Sequence, residues 1–166
     1  VRGQKRPYPW LKDWSEASKP HIAWLRENPH RFSLGRVSLH LVDAKGKAAR
    51  FADLSNTSQS LDMWTGTLSS HFGFGGERVE VETRVHPEFD MLIITLRSPL
   101  IARQQLGIDL KFPGVNAKLN PDPADWSKPD SHQTKLLKSD GEDISLERRL
   151  DDTRYYVRAR AEREIT

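Results

Sequence analysis

Residues Gln59–Ser98 read QSLDMWTGTLSSHFGFGGERVEVETRVHPEFDMLIITLRS, and this stretch decides the fold. Val79, Val81, Thr83 and Val85 alternate with Glu80, Glu82, Arg84 and His86. A period of two turns one row toward a core and the other toward water. Just upstream, Phe72-Gly73-Phe74-Gly75-Gly76-Glu77 supplies a reversal, because glycine accepts the positive φ that tight hairpins need. After Pro87-Glu88-Phe89-Asp90 comes Met91-Leu92-Ile93-Ile94-Thr95-Leu96, a run that predicts a strand covered on both faces. Antiparallel strands with two covered faces imply a sandwich, or a sandwich with another layer on it.

The same pattern extends in both directions. Val37, Leu39 and Leu41 mark a strand that ends at the turn Asp43–Lys47. Further strands are expected near Arg50–Ser55, Gln59–Met63, Gly66–Phe74, Arg78–His86, Met91–Arg97 and Leu106–Phe112. The span Pro113–Asp130 holds Pro113, Pro121, Pro123, Pro129 and Trp126, and reads as a long excursion rather than a hairpin. Strands resume at Gln133–Ser139, Ile144–Leu150 and Tyr155–Ala161. In the last of these, Tyr155, Val157 and Ala159 oppose Tyr156, Arg158 and Arg160. About ten short strands with regular turn signals give an all-β, antiparallel β-sandwich over residues 36–166.

Residues 1–35 differ from the rest. Pro7, Pro9, Pro20 and Pro29 break this segment, which predicts an extended strap with one helical turn near Ser18–Leu25. Trp10, Trp14 and Trp24 lie along it, beside Lys12, Asp13, Glu16 and His21.

Composition limits the function. The 166 residues carry 26 Lys+Arg and 23 Asp+Glu, a net charge of +3. The signs are interspersed, so the sequence presents no blocked basic segment and nucleic acid is not the expected partner. No run approaches the roughly 20 apolar residues of a membrane span. With no cysteine there is no disulfide, thiolate nucleophile or Cys-based metal site. His21, His30, His40, His71, His86 and His132 show no metal-ligand spacing. No cofactor motif is present: Gly73, Gly75 and Gly76 lack the following helix and Lys-Ser/Thr pair of a phosphate loop. The chain starts at Val1 rather than Met, as expected of a processed chain or a piece of a longer one.

Paired carboxylates would mark a glycosidase. Glu80 and Glu82 share a strand face roughly 7 Å apart, and Glu142/Asp143 and Asp151/Asp152 are the other pairs. Each also fits a solvated strand or turn, and no catalytic residue is assigned. Sugars present apolar C–H faces on which indoles stack. Trp10, Trp14, Trp24, His21 and Trp126 are therefore the carbohydrate-binding candidates. Trp64 sits in a turn and reads as a structural anchor.

The string LDMWTGTLSSHFGFGGERVEVETRVHPEFDMLIITLRSPL resembles the N-terminal domains of six-hairpin glycosidases, the group that includes maltose phosphorylases and certain α-L-fucosidases. The likeness rests on Leu61–Gly66, Gly75-Gly76, Val79–Thr83 and His86-Pro87, with support upstream from WSEASKPHIAWLRENPHRFSLGRVSL. It implies a galactose-mutarotase-like supersandwich that accompanies a helical barrel carrying the catalytic acid. This chain has no amphipathic helical repeat for such a barrel. The resemblance therefore implies a non-catalytic accessory domain, secreted or periplasmic, partnered by a barrel or by carbohydrate. An autonomous carbohydrate-binding module using the N-terminal tryptophans is the alternative.

Overall fold

The computed structural model describes residues 19–27, 32–116 and 122–162. Among them the chain is antiparallel β-structure with a single α-helix, the all-β sandwich-like class that the alternation predicts. Arg36–Lys111 form one compact unit, and the described residues on either side form another.

The helix, α1, spans Lys19–Glu27. Pro20 falls in its first turn, where a missing N–H costs nothing. The helical turn expected near Ser18–Leu25, which contains Trp24, is a helix of nine residues. The side chain of Trp24, and Trp10 and Trp14 altogether, lie outside the described residues.

In the central unit, β1 (Arg36–Leu41) pairs with β6 (Leu106–Lys111) as a two-stranded layer. Opposite it, β2 (Ser55–Asp62), β3 (Thr67–Phe74), β4 (Glu77–Val85) and β5 (Leu92–Arg97) form a sheet in that order. Gly75 and Gly76, at φ 58° and 83°, make the two-residue turn between β3 and β4, with Phe74 facing Glu77 across it. The register puts Phe72 opposite Val79 and Val81 opposite Leu96, all on one face. That face meets the β1–β6 layer in a core of Phe72, Phe74, Val79, Leu100 and Leu106, with Leu39, Leu41, Leu54, Val81 and Leu96 packed around it.

Two strand expectations fail here. Phe51–Asp53 form a 3₁₀ turn instead of a strand. Asp53 accepts from the Arg50 N–H at 2.9 Å and from its guanidinium at 3.2 Å, which bends the chain locally. Met91–Leu96 is not covered on both faces: none of these residues is buried, and Met91 and Leu92 are 44% and 46% exposed. The cause is geometric, since β5 is an edge strand and a two-stranded layer cannot cover a four-stranded sheet.

In the terminal unit, β7 (Gly114–Val115) and β8 (Ala124–Asp125) pair briefly within the proline-rich excursion, which ends in a 3₁₀ turn at Pro129–Ser131. The strands β9 (His132–Ser139), β10 (Asp143–Leu150) and β11 (Thr153–Arg160) form a sheet with β10 central. Tyr155, Val157 and Ala159 are half-buried while Tyr156, Arg158 and Arg160 are exposed, as their alternation predicts. The Tyr155 hydroxyl donates to the Leu34 carbonyl at 2.6 Å, and its ring lies 6.1 Å from Phe32. Gly114 is held close: a Cβ there would sit 2.6 Å from Ser131 Oγ and 3.2 Å from the His132 ring. Gly114→Ala should cost about 1–3 kcal/mol in a denaturant melt. Adding Ser131→Ala should recover part of that loss, and an undiminished loss would mean the hydroxyl is not the obstacle.

Candidate interaction surface

Antiparallel order brings the β2–β3 turn and the β4–β5 loop to the same end of the four-stranded sheet. At that end the core-side face continues beyond its cover. Leu61 faces Leu68, Leu68 faces Thr83, Thr83 faces Ile94, and Val85 faces Leu92 in one continuous register. Leu61 is 57% exposed and Val85 69%. Two tips then extend the apolar surface, Met63-Trp64 on one side and Phe89 with Met91 on the other.

Local chemistry fixes both tips. Asp62 Oδ1 accepts from the N–H groups of Trp64 at 2.9 Å and Thr65 at 3.4 Å. The Trp64 N–H foremost, with help from Thr65, holds the Asp62 carboxyl below the usual carboxylate range. Trp64 itself is 97% exposed, which overturns its reading as a structural anchor. Across the sheet end, His86 Nδ1 accepts from the N–H groups of Glu88 at 3.1 Å and Phe89 at 3.2 Å. The His86 ring lies 4.8 Å from Phe89, and its backbone N–H closes the loop on the Met91 carbonyl at 2.8 Å. The His-Pro corner is a loop brace.

The opposite, polar face of the same sheet carries the acid pair. Glu80 lies in register with His71 and Arg97, and Glu82 with Ser69 and Thr95. They line an open hollow of about 200 Å³. The Arg78 guanidinium donates to Glu80 at 2.7 Å, an ordinary surface ion pair. The remaining acid pairs have structural duties. Asp151, at φ 48°, forms the β10–β11 turn with Asp152. Asp143 accepts from Arg158 at 3.0 Å, which lowers its carboxyl. Glu147 is lowered by Arg149, its hydrogen-bond partner at 2.6 Å, with Arg154 adding to the effect. These shifts favour the ionised form, the opposite of what a general acid at neutral pH requires. The same pairs intersperse cations and anions along β10 and β11.

Of the sugar-binding candidates, His21 is exposed on α1 and Trp126 is 41% exposed after β8. No group of three His, Cys, Asp or Glu able to hold a metal occurs among the described residues. No described helix is long and apolar enough to cross a membrane. No family model, no curated protein and no solved structure matches the chain.

The site that sequence reasoning passed over is the sheet end itself. Its signal was present in Met63-Trp64 and Phe89, large apolar residues at turn positions where polar ones are the rule.

Proposed function

We propose that this chain is a non-catalytic accessory domain of a carbohydrate-active, glycoside-hydrolase-type enzyme, exported from the cell, whose catalytic acid resides on a helical barrel. The observation that carries this reading is the uncovered apolar sheet end. Among the described residues, six hydrophobic side chains are buried while eighteen large ones are exposed. Seven of those eighteen (Leu61, Met63, Trp64, Val85, Phe89, Met91 and Leu92) belong to this one end. Exposed apolar surface gathered this way marks a docking site rather than solvent-facing protein. The resemblance in Leu61–Gly66, Val79–Thr83 and His86-Pro87 supplies the enzyme class.

The isolated chain should then turn over none of a panel of nitrophenyl glycosides and natural oligosaccharides above a buffer blank. Turnover that disappears in Glu80→Gln or Glu82→Gln would replace this reading with that of a small hydrolase. The binding-module reading has one observation in its favour, the outward indole of Trp64 beside a tip of apolar residues. It expects a tryptophan emission shift on titration with an oligosaccharide, lost in Trp64→Ala while the melting temperature holds.

A further inference from the structure

The apolar sheet end has an electrostatic edge that specifies its partner. Three carboxylates stand in the two tips: Asp62 in the β2–β3 turn, and Glu88 and Asp90 in the β4–β5 loop. Asp62 spends Oδ1 on the turn N–H groups of Trp64 and Thr65, and its ionised state is reinforced by them. Glu88 and Asp90 are exposed, and neither enters an ion pair among the described residues. The one Lys or Arg in these two corners is Arg84. Its register partner is Ile93, so it lies on the sheet face opposite to Val85 and Leu92. Asp62, alternating with Leu61, shares that opposite face, which leaves Glu88 and Asp90 as the carboxylates at the apolar margin. Among the described residues, the apolar end is thus edged at the β4–β5 loop by two carboxylates outside any ion pair, although the chain as a whole carries +3.

We propose that the partner docking on this end is a protein surface with an apolar centre and a lysine- and arginine-rich margin. The proposal rests on the accessory-domain reading, in which that surface belongs to the catalytic barrel. Burial of Leu61, Met63, Trp64, Val85 and Phe89 would supply the attraction, and the rim sets which apolar surface is accepted. Charges at an interface margin act mainly through the choice of partner and the rate of encounter. A second copy of this chain brings the same carboxylates face to face, and like charges so placed oppose association. An anionic bilayer presents the same repulsion to the Trp64 and Phe89 tips.

The test uses the full chain with three labelled helical peptides that share a leucine face and differ in flanking residues: lysine, glutamine or glutamate. Fluorescence anisotropy should rank affinity as lysine over glutamine over glutamate. The outer two should differ about tenfold in low salt and converge near ~1 M salt, where screening is short-ranged. Glu88→Lys with Asp90→Lys should invert the ranking. Trp64→Ser with Phe89→Ser should abolish binding of all three, with thermal melts confirming that both variants remain folded. Equal affinity for the three peptides that still depends on Trp64 would overturn the charged rim and leave the docking site standing. Absence of binding to any peptide would overturn the docking reading as well. A concentration-dependent dimer in sedimentation, or co-pelleting with phosphatidylcholine vesicles that requires Trp64, would also overturn the proposed partner.

Discussion

Arg148→Ala is expected to lower the stability of the terminal unit by about 3–5 kcal/mol. Arg148 is wholly buried at the centre of the β9–β10–β11 sheet. Its guanidinium donates to Thr134 Oγ1, to the Pro113 carbonyl at 3.2 Å and to His132 Nδ1 at 3.1 Å, and stacks 4.9 Å over the Phe112 ring. Removing it orphans acceptors, at about 1–3 kcal/mol, and leaves a void where the aliphatic stem lay. Yet among the described residues no carboxylate joins this cation, and its Nε has no hydrogen-bond partner. Desolvation of the charge is therefore offset only by neutral groups, an arrangement that costs several kcal/mol. Arg148→Met, which keeps the stem volume and discards the charge, should recover most of the loss. Should the Met variant melt as low as the Ala variant in a denaturant titration, the hydrogen bonds and not the packing would be what Arg148 contributes.

The same cluster sets a pH dependence. Burial foremost, and then the Arg148 charge, push His132 below the ordinary histidine range near 6.5. Its Nδ1 accepts from the guanidinium, so the folded state holds the neutral ring. Above about pH 6.5 both folded and unfolded chains have His132 neutral, and its contribution is fully present. As pH falls below that value the unfolded chain takes the proton first, and stability declines until the folded pKa is passed. The lowered carboxyls of Asp62, Asp140, Asp143 and Glu147 act in the same direction but in a more acidic window. His132→Gln should flatten the decline between about pH 6.5 and 5 and leave the more acidic one in place. A decline that persists there in His132→Gln would assign it to other groups.

Strand positions were legible in the sequence because period-two alternation is local, and Val79–Val85 and Tyr155–Arg160 each record their own faces. How far the cover reaches was not, since that depends on the number of strands in the opposing layer. Val79 and Val85 look identical in the pattern. One is fully buried and the other 69% exposed, because Val79 lies under the β1–β6 layer and Val85 beyond it. Arg50–Ser55 was misread because the side-chain bonds from Arg50 to Asp53 close a 3₁₀ turn that an alternation rule does not see. The Arg148 cluster did leave a trace. Ile144, Leu146, Arg148 and Leu150 occupy one alternating row, and an arginine on an apolar row calls for acceptors from neighbouring chain. The exposed tip at Trp64 was obscured by reading a tryptophan in a turn as a structural anchor, when Asp62 closes that turn through the backbone and leaves the indole exposed.

Burial so unevenly distributed predicts a sharp contrast between two leucines of the central unit. Leu100 is 2% exposed within the Phe72, Phe74, Val79 and Leu106 core, whereas Leu92 is 46% exposed at the uncovered end. Leu100→Ala should cost about 2–5 kcal/mol, and Phe72→Ala about 3–5, because each leaves a cavity that rigid neighbours cannot close. Against a total near ~5–15 kcal/mol for an ordinary domain, either loss puts the fold at risk. Leu92→Ala in the isolated chain should stay within about 0.5 kcal/mol of the parent, since nearly half of the residue already meets water and no closed cavity is left behind. The comparison also bears on the docking surface. A docked partner removes that water, so Leu92→Ala should weaken association while leaving the isolated chain's denaturant midpoint where it was. If Leu92→Ala instead destabilised the isolated chain as much as Leu100→Ala, the sheet end would be covered in solution by the chain itself. No apolar surface would then remain there for a partner.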